Sequence, residues 1–219
     1  MSILDRRMLM AGALAATTVP TLARAALPPA GKLNFNILRQ GKPFGRYGVV
    51  FVKDGETLTV TTDVAMSYKI AGISTFDYKH HCEEIWRGGK FVALHSRTVR
   101  DNRRDQIETV SAIREPYAIQ ITTSKSRFVV PVSAAPFTHW NSATLKGTLF
   151  NPQDGKRLEF AAQQVGRDPF PLASGAPIKA EHWMLRGDQQ IDEWYDDSGV
   201  WAGLRGVFPD HSIVEYRRI

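Results

Sequence analysis

The chain has 219 residues and one cysteine, Cys82. A lone thiol cannot close a disulfide within the chain, so a disulfide framework is excluded and stability must come from a packed core. Beyond the N-terminal region there is no run of about 18 uncharged apolar residues, which excludes a transmembrane helix from the mature chain. No long stretch repeats apolar residues at i, i+3, i+4 and i+7, so helices should be few. A nucleophile elbow, a P-loop, a dinucleotide fingerprint and an HExxH zinc motif are all missing. No sequence repeat of fixed period occurs either, which argues against a propeller.

Charge of one sign is also scarce. The formal net charge is +6, with Lys and Arg totalling 28 against 22 Asp and Glu. Arg6, Arg7 and Arg24, set against Asp5, carry two of those six charges, which leaves about +4 beyond residue 25. An excess this small and this dispersed gives no ground for a nucleic-acid partner, and none is expected. The 43% hydrophobic content, with 23% charged residues, describes a folded chain with a real core.

The N-terminus reads as an address. Asp5-Arg6-Arg7-Met8-Leu9-Met10 opens a positively charged region, and a weakly apolar stretch of Ala, Leu and Met follows it. Ala23-Arg24-Ala25 then offers small residues for signal cleavage. Paired arginines before a weakly apolar segment fit a twin-arginine signal; an ordinary secretory signal is the other reading. Residues 1–25 are therefore expected to be a cleaved export signal and residues 26–219 a single periplasmic domain. No lipid anchor is expected, since no cysteine stands directly after the cleavage site.

From residue 33 the pattern is strand and turn. Phe44 to Val52 and Thr57 to Val64 flank Asp54-Gly55, a hairpin turn signal. Arg157 to Val165 reads as a strand and Asp168 to Pro177 as a Pro/Gly linker. Ile178 to Leu185, Gln190 to Tyr195, Val200 to Phe208 and Ser212 to Arg217 complete the set. Pro131 to Trp140 reads as a loop that caps an open barrel end and leads into a short helix at Ser142–Leu149. About ten short strands with regular turn signals predict an all-β fold. The expected form is an antiparallel meander closing into a barrel or a strongly curved half-barrel, with at most one short helix.

The chemically richest stretch is Phe76 to Thr98, FDYKHHCEEIWRGGKFVALHSRT. A two-residue Gly88-Gly89 turn would set Trp86 opposite Phe91, Glu84 opposite Ala93, Cys82 opposite His95 and His80 opposite Arg97. These eight then share one face with Tyr78 and Phe76, the more apolar face and so the interior. Buried there, His80, Glu84, His95 and Arg97 must be paired or wet. Three readings follow. One is a structural polar network. Another is a ligand pocket walled by Tyr78, Trp86 and Phe91. A third is a metal held by His80, His95 and either Cys82 or Glu84.

Two further features stand apart. A Gly187-Asp188 turn would set His182 opposite Glu193, a pair suited to acid–base work or to a structural hydrogen bond. Trp140, in its proline-flanked loop, reads either as a lid over a pocket or as an anchor packed into the barrel mouth.

Several spaced motifs together resemble a known family. They are Gly45-Arg46-Tyr47, Glu84-Ile85-Trp86 before Gly-Gly-Lys, His139-Trp140-Asn141, Trp194-Tyr195-Asp196 before Gly199-Val200-Trp201, and Tyr216. The chain is similar, over nearly all of residues 26–219, to exported proteobacterial proteins, mostly alphaproteobacterial, that carry a domain of unassigned function. One departure is Phe44-Gly45-Arg46 where that family favours Ile-Gly. The resemblance implies a β-rich periplasmic domain in the style of lipoprotein-carrier half-barrels, and it implies no catalytic residues.

The expectation is thus a soluble, monomeric periplasmic β-barrel protein. It would bind an apolar or amphipathic ligand, lipid included, on its concave face, through Tyr78, His80, Glu84, Trp86, His95, Arg97 and Trp140. No cofactor, metal or catalysis is expected. The alternatives are a hydrolase or lyase built on Glu84/His95 or His182/Glu193, and an envelope scaffold with an exposed apolar patch or open sheet edge.

Overall fold

The computed structural model describes residues 26–70, 73–101, 106–188, 190–208 and 210–219, with side chains excepted at 69, 70 and 73–75. The expected export signal, residues 1–25, lies outside the described residues. Among those described, no helix is long and apolar enough to cross a membrane.

Eight strands leave the middle of the sheet in one direction: β1 (Lys32–Arg39), β2 (Lys42–Asp54), β3 (Thr57–Ile70), β4 (Ile73–Arg87), β5 (Lys90–Arg100), β6 (Ile107–Arg114), β7 (Ala118–Thr123) and β8 (Arg127–Pro131). The chain then crosses through three two-residue strands, β9 (Ala135–Pro136), β10 (Leu149–Phe150) and β11 (Arg157–Leu158). It re-enters at the opposite edge and returns as β12 (Phe160–Pro171), β13 (Pro177–Gly187), β14 (Gln190–Tyr195), β15 (Trp201–Val207) and β16 (Ile213–Arg218). The sheet order is β12-β13-β14-β15-β16-β1-β2-β3-β4-β5-β6-β7-β8. Two meanders are therefore zipped together where β16 pairs antiparallel with β1, from Phe35 opposite Arg218 to Arg39 opposite Val214.

The result is one large curved antiparallel sheet that does not close, with β12 and β8 as its free edges. This is the open form of the expected barrel. The core follows from strand alternation. On β1, Leu33, Phe35 and Ile37 are buried while Lys32 and Asn34 are exposed. Val60, Val110, Ala112, Ile119, Leu185 and Trp201 continue the same inner face, each wholly buried.

Three local expectations change. The first concerns β12, which runs through the proposed Asp168–Pro177 linker as far as Pro171 and keeps pairing with β13 to Pro177. Pro169 is tolerated because β12 is an edge strand whose lost N–H has no second partner to disappoint. Second, the helix proposed at Ser142–Leu149 reduces to a 3-10 turn at Ser142–Thr144. Its continuation is taken by β10, which pairs with β9 and β11 in a small separate sheet. Third, the β2–β3 turn centres on Gly55-Glu56 rather than Asp54-Gly55, because Asp54 pairs with Thr57.

The crossing segment matters most for the site. Trp140, 2% exposed, packs edge-on against Phe51 and Trp86 at 5.6 and 5.4 Å between ring centres. Phe150 meets Phe91 at 5.6 Å, and His139 stacks on Trp201 at 4.9 Å. The segment is thus a plug pressed onto one end of the inner face.

Candidate functional site

The β4–β5 hairpin turns at Gly88-Gly89 as its sequence predicts. Arg87 pairs with Lys90, and both glycines have positive φ, +55° and +79°, which a two-residue type I′ turn demands. Trp86 faces Phe91, also as expected. One residue further on, the register slips. Ile85 pairs with Ala93, so Val92 is an extra residue in β5, a β-bulge. A one-residue slip turns every later side chain of that strand to the other face. Cys82 therefore faces Ser96 rather than His95, Glu84 faces Leu94, and His80 faces Thr98.

The slip corrects two of the site residues. His95 and Arg97 are exposed on the outer face. Arg97 lies along an outer groove with Arg46, Asp63 and His81 and does not line the inner cavity. The inner positions opposite β4 go instead to Ser96 and Thr98, both wholly buried, and to Arg100, which pairs with Tyr78. The metal set drawn from His80, Cys82, Glu84 and His95 is not assembled. Among the described residues no three His, Cys, Asp or Glu side chains converge in a way that would hold an ion.

Tyr78, His80 and Glu84 do share the inner face, with Cys82 between them, and all four line a cavity of about 950 Å³. Met66, Val64 and Tyr47 form the wall toward β2 and β3, while Leu204, Val214 and Tyr216 form the wall across the sheet. The cavity reaches the surface past Asp188, Gln190, Val207 and His211, which are exposed. Its far end stops at the plug, where Phe137, Thr138 and His139 contribute to the lining. Trp86 and Trp140 do not line it. They are packed against each other where the plug meets β4, which makes Trp140 an anchor rather than a lid.

The electrostatics of the cavity follow from burial. Glu84, 2% exposed, has its carboxyl pushed up to about 7, chiefly by desolvation. Trp86 donates its Nε1–H to Glu84 Oε2 at 2.9 Å and restrains that rise, as do the nearby polar groups of Thr138 and Trp140. The Trp140 indole nitrogen is itself buried without a well-formed hydrogen bond. His80 moves the other way, down to about 4, because burial disfavours the imidazolium and the His81 and Arg100 charges oppose it. Its Nδ1 lies 2.9 Å from Thr98 Oγ1. Burial also raises the Cys82 thiol and the Tyr47, Tyr78 and Tyr216 phenols, so all four stay neutral near neutral pH.

A second polar cluster lies across the cavity. The β13–β14 connection holds three residues, 187–189, because Arg186 pairs with Gln190. That loop shifts the register assumed for a two-residue turn, so His182 faces Trp194 and not Glu193. His182 lies on the opposite face of the sheet, with Nδ1 2.6 Å from Asp168 Oδ2 and its ring stacked on Trp194 at 4.5 Å. Glu193 points inward, wholly buried, and pairs with His139 Nδ1 at 2.8 Å. Tyr195 supplies its hydroxyl to the other Glu193 oxygen and to the His139 carbonyl, 2.9 Å away. The phenol is raised by burial and then by the Glu193 charge.

His139, Tyr47, Arg100 and Tyr216 were missed as site residues by the sequence reading. Tyr47 and Tyr216 sit at inward strand positions whose alternation was legible. His139 was not, since nothing in Pro136–Asn141 indicates which strand its loop will meet.

Comparison with known proteins agrees with this architecture. The family described as a domain of unknown function, DUF6134, matches residues 35–219. No curated protein matches the sequence. Among solved structures, the chain is similar to the crystal structure of a β-barrel-like protein of domain of unknown function DUF1849 from Brucella abortus. The two are 10% identical, with a TM-score of 0.63 over 90% of this chain and 97% of that one. Identity that low shows a common fold and nothing more.

Proposed function

The chain belongs to the DUF6134 family, and we propose that it is an exported, periplasmic protein of alphaproteobacterial type that holds an apolar or amphipathic molecule in its inner cavity. One observation carries the ligand: a cavity of about 950 Å³ left open on the inner face beside a densely packed plug. Ligand sites typically occupy about 300–1,000 Å³ and combine apolar walls with a few placed polar groups. Here the walls are Met66, Phe76, Phe137, Leu204 and Phe208, and the polar groups are His80, Glu84 and His139. The export signal read at residues 1–25 supports the location.

The test is direct. Protein purified from its own periplasm is extracted with organic solvent, and the extract is compared by mass spectrometry with that of a Val64→Trp variant, whose indole projects into the cavity and obstructs it. A polarity-sensitive fluorescent probe is titrated into both. An apolar molecule should accompany the native chain, and Val64→Trp should weaken probe binding by about tenfold or more. Equal binding by both proteins, with thermal unfolding showing both folded, overturns the cavity as the site.

A further inference from the structure

The cavity's charges indicate what kind of polar group its occupant carries, an inference that rests on the ligand-binding reading above. Along β4 the inward positions run Phe76, Tyr78, His80, Cys82, Glu84, and then Trp86 beneath the plug. About 26 Å of strand separates Phe76 from Glu84 at the usual rise per residue. The Phe76 end is apolar, stacked on Phe44 at 5.4 Å, and Phe208 packs on the same ring. The rim carries Arg100, Asp188, Gln190 and His211, and the buried acidic group, Glu84, lies at the plug end.

At that end the described residues offer a carboxyl acceptor and neutral hydroxyls, and no unshared cation. Glu84 accepts from Trp86 through Oε2, the polar groups of Thr138 and Trp140 also face its carboxyl, and its two oxygens together offer about four acceptor positions, which leaves capacity for a further donor. His139, the basic group on the opposite wall, is bound to the Glu193 carboxylate at 2.8 Å. His80 is occupied through Nδ1 by Thr98. Tyr47 stands between the two walls, its ring 6.1 Å from His139 and 5.6 Å from Tyr216. The strongly basic side chain lining the cavity is Arg100, near the rim, and it is held by Glu108 at 2.9 Å. A carboxylate or phosphate carried to the inner end would lose its hydration and meet Glu84 there.

We propose that the cavity selects amphiphiles whose polar group donates a hydrogen bond and bears no negative charge, a hydroxyl or an amine, seated against Glu84. The apolar chain then lies along Tyr78 and Phe76 toward the Phe208 end. Glu84 acts as a specificity-determining acceptor, and the plug residues Thr138 and His139 close the site around the polar group.

The experiment compares 1-dodecanol, dodecylamine and dodecanoate as displacers of one uncharged fluorescent probe from the full-length mature protein above neutral pH. Dodecanol, dodecylamine or both should displace it at least about tenfold more tightly than dodecanoate, because like charges brought together in a dry site repel. Glu84→Gln should narrow that gap by raising dodecanoate affinity. Dodecanoate binding as tightly as the alcohol in the native protein overturns the proposal. If that binding falls in an Arg100→Gln variant, the headgroup sits at the rim instead. Failure of every amphiphile and of the probe to bind overturns the ligand-binding reading itself, and this inference with it.

Discussion

Glu193, which has no exposed surface, is held by His139 at 2.8 Å across 54 residues of sequence. The contact fastens the plug to β14, and the stacking of the same imidazole on Trp201 fastens it to β15. One side chain of a loop that carries little regular structure thus ties the plug to β14 and β15, while Trp140 and Phe150 anchor it on Phe51, Trp86 and Phe91.

Removing that side chain should expose the dependence. His139→Ala leaves a buried carboxyl group with Tyr195 as its remaining partner. An unsatisfied buried polar group costs about 1–3 kcal/mol, and a charged one costs more. Urea unfolding should show a loss in that range for His139→Ala. Glu193→Gln, which keeps an acceptor for His139, should lose less. Equal stability of all three proteins would mean that the pair does not hold the plug.

The two shifted groups on β4 should leave opposite marks on the pH dependence of stability. Burial raises the Glu84 carboxyl from 4.5 to about 7. The folded state then binds more protons than the unfolded one between those values, so this contribution is full below about 4.5 and lost as pH rises through about 7. His80 falls from 6.5 to about 4. Its contribution is full above about 6.5 and lost as pH falls through about 4. Each is worth on the order of 3 kcal/mol at most. Between pH 4.5 and 6.5 the two largely cancel, and the native protein should show little slope from them. Glu84→Gln should uncover stability that rises with pH, and His80→Gln stability that falls with it. Unfolding free energies measured across pH 4–8 for the three proteins check this, and parallel curves would contradict it.

The β4–β5 register can be read chemically. His81 and His95 are exposed, whereas His80 is 6% exposed and lies on the inner face. Diethyl pyrocarbonate should therefore modify His81 and His95 rapidly and His80 slowly, as followed by peptide mass spectrometry. Protection of His95 would restore the unbulged register and contradict the bulge at Val92.

Much of the architecture was legible without coordinates, because it rests on local physics. Alternation of apolar and polar residues along β1 and β2 is a property of consecutive residues, and it marks both the strand and its buried face. Gly88-Gly89 specifies its own turn, since few other residues adopt two positive φ values in succession. The inward direction of Tyr78, His80 and Glu84 on β4 follows from the same alternation.

Tertiary structure alone decided the partners. His95 and Arg97 were placed on the wrong face because a single extra residue, Val92, inverts everything beyond it, and no local signal announces a bulge. His182 was matched to Glu193 on the assumption of a two-residue loop, and one more residue sent it to Asp168 on the other face. The contact between His139 and Glu193 depends on where a long crossing segment lands, which is fixed by the sum of many packing contacts. Strand, turn and inner face are thus written in neighbouring residues. Register, the plug, and the set of groups facing the cavity emerge when the whole sheet curves around its core.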